Sequence, residues 1–272
     1  MPELPEVERF RRLAQRRSGR TIERVSIDDP GMLEGFSPAR LRRCLKGARI
    51  GPVRRHGKQL LVGVSGAGCL ALHFGTNGSL RLLRADEPDP RFVRLSLVLT
   101  GGERLAYLNP RRIGSVRLAD DADALIARAG LGPDALDRRF DRAAMAALFA
   151  RRKRDVKSLL MDQQHVAGIG NLYSDEILFQ ARVHPSTSGA ALGRAEVARL
   201  HAATKRVLRA AIKSAADAEQ APERLPRGFL LRERHRGGHC PRCGTALATL
   251  RRGGRTAYFC PRCQRRPERV SA

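Results

Sequence analysis

Two groups of residues carry recognisable chemistry before any fold is considered. Late in the chain, Cys240, Cys243, Cys260 and Cys263 form C-x2-C-x16-C-x2-C within "CPRCGTALATLRRGGRTAYFCPRC". Two thiol knuckles at this separation suit tetrahedral coordination of one zinc ion, the expected cofactor, because a cytosolic chain has little reason to form disulfides. At the start, "MPELPEVERF" sets Pro2 and Pro5 among Glu3, Glu6 and Glu8. Removal of Met1, which a small second residue favours, would leave a secondary amine followed directly by a carboxylate. Residue types alone admit two readings of that pair, as chemistry or as helix punctuation. Cys44 and Cys69 stand apart in apolar or mixed surroundings and read as small buried hydrophobes.

A third informative stretch is "VKSLLMDQQHVAGIGNLYSDEILFQARVHP", residues 156 to 185. Two helical patterns flank "HVAGIGN", where Gly168 and Gly170 are expected to turn the chain twice with positive φ and Asn171 to cap the second helix. Exposed N–H groups at such a turn attract a phosphate, with Asn171 adding a donor and Lys157 a charge.

The charge of the whole chain points the same way. Across 272 residues there are 52 Lys and Arg against 27 Asp and Glu, a formal net charge of +25, spread along the sequence rather than gathered in a tail. That is the footprint of a partner with a dense row of negative charges, DNA or RNA. A membrane surface is the competing polyanion, but there is no apolar run near the roughly 18 residues a span needs and no lipidation signal. With no Trp, three Tyr and nine Phe, stacking on single strands has little to work with, so a duplex held by its phosphates is expected. The acidic, proline-rich start lacks the features of a signal peptide, so the protein is expected in the cytoplasm and, as a binder of nucleic acid, on the nucleoid.

The elements that must hold these residues follow from periodicity. Val7, Phe10, Leu13 and Ala14 mark a first helix over 5 to 18. Alternating segments at 21–28, 48–65, 69–75 and "FVRLSLVLTGGERLAYLNP" at 92–110 indicate an antiparallel β-sandwich or barrel over roughly residues 20 to 118. Helical periodicity runs from 122 to about 216. The charged, proline-punctuated segment 217–238 reads as a linker or mobile loop, and "LATLRRGGRTAYF" as strand, Gly-Gly turn, strand. The fold class is thus α+β and multi-domain, with a sandwich domain at 1–120, a helical domain at 121–216, a linker at 217–238 and a zinc-bound hairpin at 239–266.

Together these pieces resemble the formamidopyrimidine-DNA glycosylase/endonuclease VIII family of base-excision enzymes. The resemblance runs through "MPELPEVE", "RRHGKQL", "ALHFGTNGSL", "NPRRIG", the helix–two-turn–helix at 156–185 and the cysteine hairpin, nearly the whole chain. It implies double-stranded DNA with damaged bases or abasic sites as the partner and a monomeric enzyme. Pro2, as the free N-terminus, would attack C1′ and form a Schiff base, and Glu3 would move the sugar-ring protons. Lys58 would assist β-elimination and Arg255 δ-elimination. His73, Arg151, Lys157 and Asn171 match positions that grip the DNA backbone. Of three positions that fill the gap left by a flipped nucleotide, Arg111 keeps the family's arginine, whereas Thr76 and Ile113 replace a methionine and a phenylalanine. With Glu233 near an expected tyrosine and a short 217–238 segment, this implies weak activity on 8-oxoguanine paired with cytosine. The alternatives are an endonuclease VIII-like preference for oxidised pyrimidines and a non-catalytic binder of damaged DNA.

Overall fold

A computed structural model describes residues 2–214 and 221–266, arranged in two compact units, Met1–Gly130 and Leu131–Ala272. Met1, residues 215–220 and residues 267–272 lie outside the described residues, and so do the readings made for them, including the end of the expected helix at about 216 and the start of the expected linker at 217. No helix among the described residues is long and apolar enough to cross a membrane.

The first unit begins with helix α1 (Leu4–Gln15), which buries Leu4, Val7, Phe10 and Ala14 and leaves its arginines outward. It packs on the first of two four-stranded antiparallel sheets. That sheet has the order β2-β3-β4-β8, from Ile50–His56, Gln59–Val64, Gly68–His73 and Ser115–Ala119. The second sheet is ordered β1-β6-β7-β5, from Ile22–Ile27, Val93–Leu99, Glu103–Leu108 and Ser79–Arg84. A single apolar cluster fills the interior, with Leu60, Val62, Leu70 and Leu72 from one sheet and Leu95, Leu97, Leu105 and Tyr107 from the other. The expected sandwich is present. Strand β5 and the short helix α2 (Pro38–Leu45), capped by Ser37, were not singled out by sequence pattern. Helix α3 (Ala122–Arg128) closes the unit by packing Leu125 on Leu61, Cys69 and Ala71, so it belongs with the sheets. Burial pushes the Cys69 thiol up to about 11, in keeping with an inert core residue.

The second unit holds α4 (Arg142–Phe149), α5 (Val156–Met161), α6 (Asn171–Ala181), α7 (Arg194–Ser214) and a two-stranded hairpin, β9 (Ala248–Arg252) with β10 (Arg255–Phe259). Asp141 and Asp155 cap α4 and α5 with side-chain bonds to Ala144 and Ser158 N–H. Helix α6 is buried on nearly all sides, and two adjacent acids inside it organise the unit. Asp175 accepts from Lys157 Nζ at 2.6 Å, from Arg234 Nε at 2.9 Å and from Tyr258 N–H at 3.1 Å. Glu176 accepts from Leu231 N–H at 2.9 Å and Gln180 Nε2 at 2.8 Å. The described part of the supposed linker, residues 221–238, is therefore not loose. Leu225, Phe229, Leu230 and Leu231 are buried, and a 3-10 turn at Leu230–Glu233 sits on α6. The charged letters of that segment concealed this, because its anchors are backbone donors and a few leucines.

Two outcomes follow. Burial, with the Asp175 charge adding to it against hydrogen bonds from Gln180 and Leu231, pushes Glu176 up to about 7 from 4.5. Between those values the native carboxyl keeps a proton that the unfolded chain releases, so its contribution to stability is complete below 4.5 and lost as pH rises to about 7. Glu176→Gln cannot ionise; it gains stability over the parent by on the order of 2–3 kcal/mol between pH 5 and 8, read by urea denaturation at each pH. Asp175→Ala leaves Lys157, fully buried, without its counter-ion. The expected loss is about 3–5 kcal/mol, and a loss below about 1 kcal/mol in the same assay would remove Asp175 from its organising position.

Candidate active site

At the N-terminus, Glu3 is the N-cap of α1 and forms a capping box with Glu6, whose Oε2 accepts the Glu3 N–H at 2.9 Å. The punctuation reading is thus correct, and it is compatible with chemistry, since the cap holds Glu3 in place beside half-buried Pro2. Glu8 has a different task. It binds Arg11, Arg12 and Arg55; burial pushes its carboxyl up, but these guanidiniums outweigh that and hold it below the usual carboxylate range.

Lys58 sits in the two-residue turn between β2 and β3, made possible by Gly57 at φ 55°, and is largely buried. The next residue, Gln59, pairs with His73, so lysine and histidine stand at neighbouring positions of one sheet edge. Burial first, then Lys58 and Arg117, hold His73 below the usual histidine range, leaving a neutral imidazole at pH 7.

Beyond His73 three loops meet at one buried residue that sequence reading passed over, Asn109. Its Nδ2 donates to Phe74 O at 3.1 Å and to Tyr107 Oη at 3.0 Å, and its Oδ1 accepts from Ile113 N–H at 3.3 Å. Its own N–H donates to Phe92 O at 2.9 Å, and its carbonyl accepts from Arg94 Nε at 3.0 Å. Asn109 therefore ties together the turn carrying Thr76, the segment carrying Arg111 and Ile113, and the start of β6. Gly75, at φ 57°, lets the first two approach, because a Cβ there would lie 2.6 Å from the Ile113 backbone. Arg111 is exposed and unpaired among the described residues, while Arg112 turns back at φ 54° to bind Asp29. The Thr76 hydroxyl is buried with no partner among the described residues. Phe92 and Ile113, 42% and 53% exposed, are the large apolar side chains left outside among the described residues. Phe92 also holds φ at 70°, a conformation that costs a bulky residue on the order of 1–3 kcal/mol.

In the second unit two expectations change. The N-cap of α6 is Gly170, with φ −129°, and Asn171 is the first helical residue; only Gly168, at φ 113°, takes the left-handed side. A residue two past a glycine turn can cap or begin a helix with the same letters, and only the backbone path separates the two. Asn171 Oδ1 is buried with no partner among the described residues, and its carbonyl accepts from Lys157 Nζ at 3.1 Å. Lys157, expected to present a charge to the DNA backbone, is 0% exposed and spends that charge on Asp175, Ser174 Oγ and Asn171 O. It positions the helix start rather than displaying an ammonium. Arg151 follows the end of α4 at φ 57°, exposed and unpaired among the described residues. Glu233 closes the 3-10 turn, half-exposed, near His235.

The four cysteine sulfurs lie within 4.8 Å of one another, with Cys240–Cys263 at 3.9 Å, Cys243–Cys260 at 3.5 Å and Cys243–Cys263 at 3.6 Å. A tetrahedron of thiolates about 2.3 Å from a metal has edges of roughly 3.8 Å, so the cluster fits one ion. Backbone N–H groups of Arg242 and Cys263 point at Cys240 and Cys260 Sγ, as expected for thiolates. Above this base the hairpin turns at Gly253-Gly254, both at positive φ, and sets exposed Arg255 opposite Arg252 at the tip. Arg234 secures the outgoing strand by donating to Thr256 O at 3.0 Å and lying over the Tyr258 ring.

Comparison with known proteins agrees with this arrangement. Family models match at residues 1–116 (formamidopyrimidine-DNA glycosylase N-terminal domain), 131–222 (formamidopyrimidine-DNA glycosylase H2TH domain) and 237–266 (zinc finger found in FPG and IleRS). The chain is 38% identical to the formamidopyrimidine-DNA glycosylase of Moorella thermoacetica, over 99% of this chain and 94% of that one. It is 37% identical to that of Geobacter metallireducens, over 97% and 100%. Among solved structures it is similar to the Lactococcus lactis enzyme bound to DNA containing an AP site, at a TM-score of 0.86 and 27% identity over 97% and 100% of the two chains. The same enzyme in complex with Fapy-dG DNA gives a TM-score of 0.87, also at 27% identity over 97% and 100% of the two chains. By its sequence, its fold and its cysteine hairpin, the chain belongs to the formamidopyrimidine-DNA glycosylase family.

Proposed function

We propose that the protein is a bifunctional DNA glycosylase and AP lyase that removes oxidised bases, formamidopyrimidines first among them, from double-stranded DNA. The observation that carries this reading is the Pro2-Glu3 start, in which a half-buried proline precedes a carboxylate held in place by a helix cap. With Met1 removed, the Pro2 nitrogen attacks C1′ of the damaged nucleotide, and the bond to the base breaks with its electron pair leaving on the base, which takes up the proton given up by the amine. Glu3 delivers a proton to the ring oxygen as the sugar opens to an iminium on Pro2. The positive charge of that iminium acidifies the C2′ hydrogen, so loss of this proton expels the 3′ phosphate, and a further elimination expels the 5′ phosphate. Lys58 serves the first elimination and Arg255 the second, with His73, Arg151, Asn171 and Arg111 on the DNA. The target carbon is hidden in the stack, so the nucleotide must first leave it. Excision of 8-oxoguanine paired with cytosine is slow relative to that of less stably paired lesions, because Thr76 and Ile113 replace larger apolar groups. A single zinc ion is the natural occupant of the four thiolates, and the enzyme acts as a monomer in the cytoplasm, on the nucleoid.

Borohydride trapping on duplexes carrying single lesions tests the nucleophile. Protein that mass spectrometry shows to begin at Pro2 yields a covalent adduct. Protein retaining Met1 does not, though it still binds abasic-site DNA. Equal trapping by both forms rules out Pro2. The metal is tested separately, since a structural site supplies folding energy to an element too small to fold alone. Chelation or Cys260→Ser is expected to weaken DNA binding at least about tenfold, measured by fluorescence anisotropy, with zinc restoring affinity only to the chelated parent.

A further inference from the structure

We infer that Phe92 is a DNA-inserting residue, an aromatic wedge that enters the base stack beside the damaged nucleotide. The inference rests on the glycosylase reading above and concerns how the duplex is opened. Phe92 combines two features a folded protein has reason to avoid. It leaves an aromatic ring 42% exposed, and it holds that ring on a left-handed backbone at φ 70°. Both persist because the surrounding contacts specify them. On one side Phe92 O accepts the Asn109 N–H. On the other, the preceding loop is fastened by Arg104, whose guanidinium reaches Asp89, Glu87 O and Arg84 O. An outlier so thoroughly supported is a hypothesis of function.

Its location says which function. Through Asn109, Phe92 shares its support with the segment bearing exposed Arg111 and Ile113 and with the Thr76 turn. Arg91 lies over the Phe92 ring at 4.9 Å, setting a guanidinium beside the aromatic surface. An exposed aromatic residue next to guanidinium groups, on a protein of net charge +25, matches a base stack flanked by phosphates. Neither Thr76 nor Ile113 offers a ring, so Phe92 is the aromatic surface available at this edge. The sequence signal, an isolated Phe after "EPDPR", carries no periodicity that would have marked it.

The test compares two substrates under single-turnover conditions. With a formamidopyrimidine paired to cytosine, Phe92→Ala is expected to slow base release about tenfold, the effect of deleting one base–aromatic stack. With a preformed abasic site the same variant cleaves within about twofold of the parent, because no paired base has to leave the stack. Phe92→Tyr restores the first rate, and the thermal midpoint of Phe92→Ala stays at or above that of the parent. Equal slowing on both substrates would make Phe92 a general support of binding or folding and overturn the inference, as would no slowing on either. Absence of parent activity on both substrates would defeat the glycosylase reading itself, and this inference with it.

Discussion

The second unit depends on one carboxylate. Asp175 lies on the buried side of α6, and its two oxygens take a lysine from α5, an arginine from the 221–238 segment and a backbone N–H from the cysteine hairpin. Removing a carboxylate from water is expensive, and here two cations and an amide compensate it. The arrangement ties three stretches, far apart in sequence, to one helix. Arg255 owes its position to two fastenings, the thiolate base of the hairpin and the Asp175–Arg234 clamp on β10. A metal alone would secure the base and leave the strand free to swing.

The first unit solves a similar problem without charge. Asn109 offers a donor and an acceptor on one side chain, and a buried amide can satisfy both through backbone groups. Its partners are the Phe74 and Phe92 carbonyls and the Ile113 N–H, joined by the Tyr107 hydroxyl and the Arg94 guanidinium. The three loops meeting at the sheet edge are therefore held largely through one neutral side chain and its own backbone. Acids are used where they neutralise fixed arginines, as with Glu8 on Arg11, Arg12 and Arg55 or Asp29 on Arg112. Arg111 and Arg151, by contrast, are exposed and unpaired among the described residues.

Glu3 shows how a helix start can hold one side chain in place. A capping carboxylate must sit at the helix start, within reach of the first N–H groups, and the reciprocal bond from Glu6 to the Glu3 N–H closes the box. Helix capping is a local demand, and it fixes the Glu3 carboxylate beside Pro2 at no separate structural cost.

What the sequence determined is whatever depends on short-range pattern. The cysteine knuckles, the Gly-Gly hairpin turn, the alternation of the sandwich strands, the Pro2-Glu3 start and the excess of positive charge are all readable within windows of a few residues, and the structure contains each of them. What needed the tertiary structure is whatever depends on which distant groups come together. Asn171 begins its helix instead of capping it because the chain enters through an extended Gly170. Lys157 is withdrawn from the surface because Asp175, eighteen positions on, faces it across two helices. The 221–238 segment is anchored because its leucines and the Leu231 amide find α6, although its composition is that of a loop. Phe92 is exposed and strained because Asn109 and Arg104 hold its neighbours. Local propensity is written in adjacent letters, whereas the pairing of buried charges and the strain of a loop are settled only when the chain closes on itself.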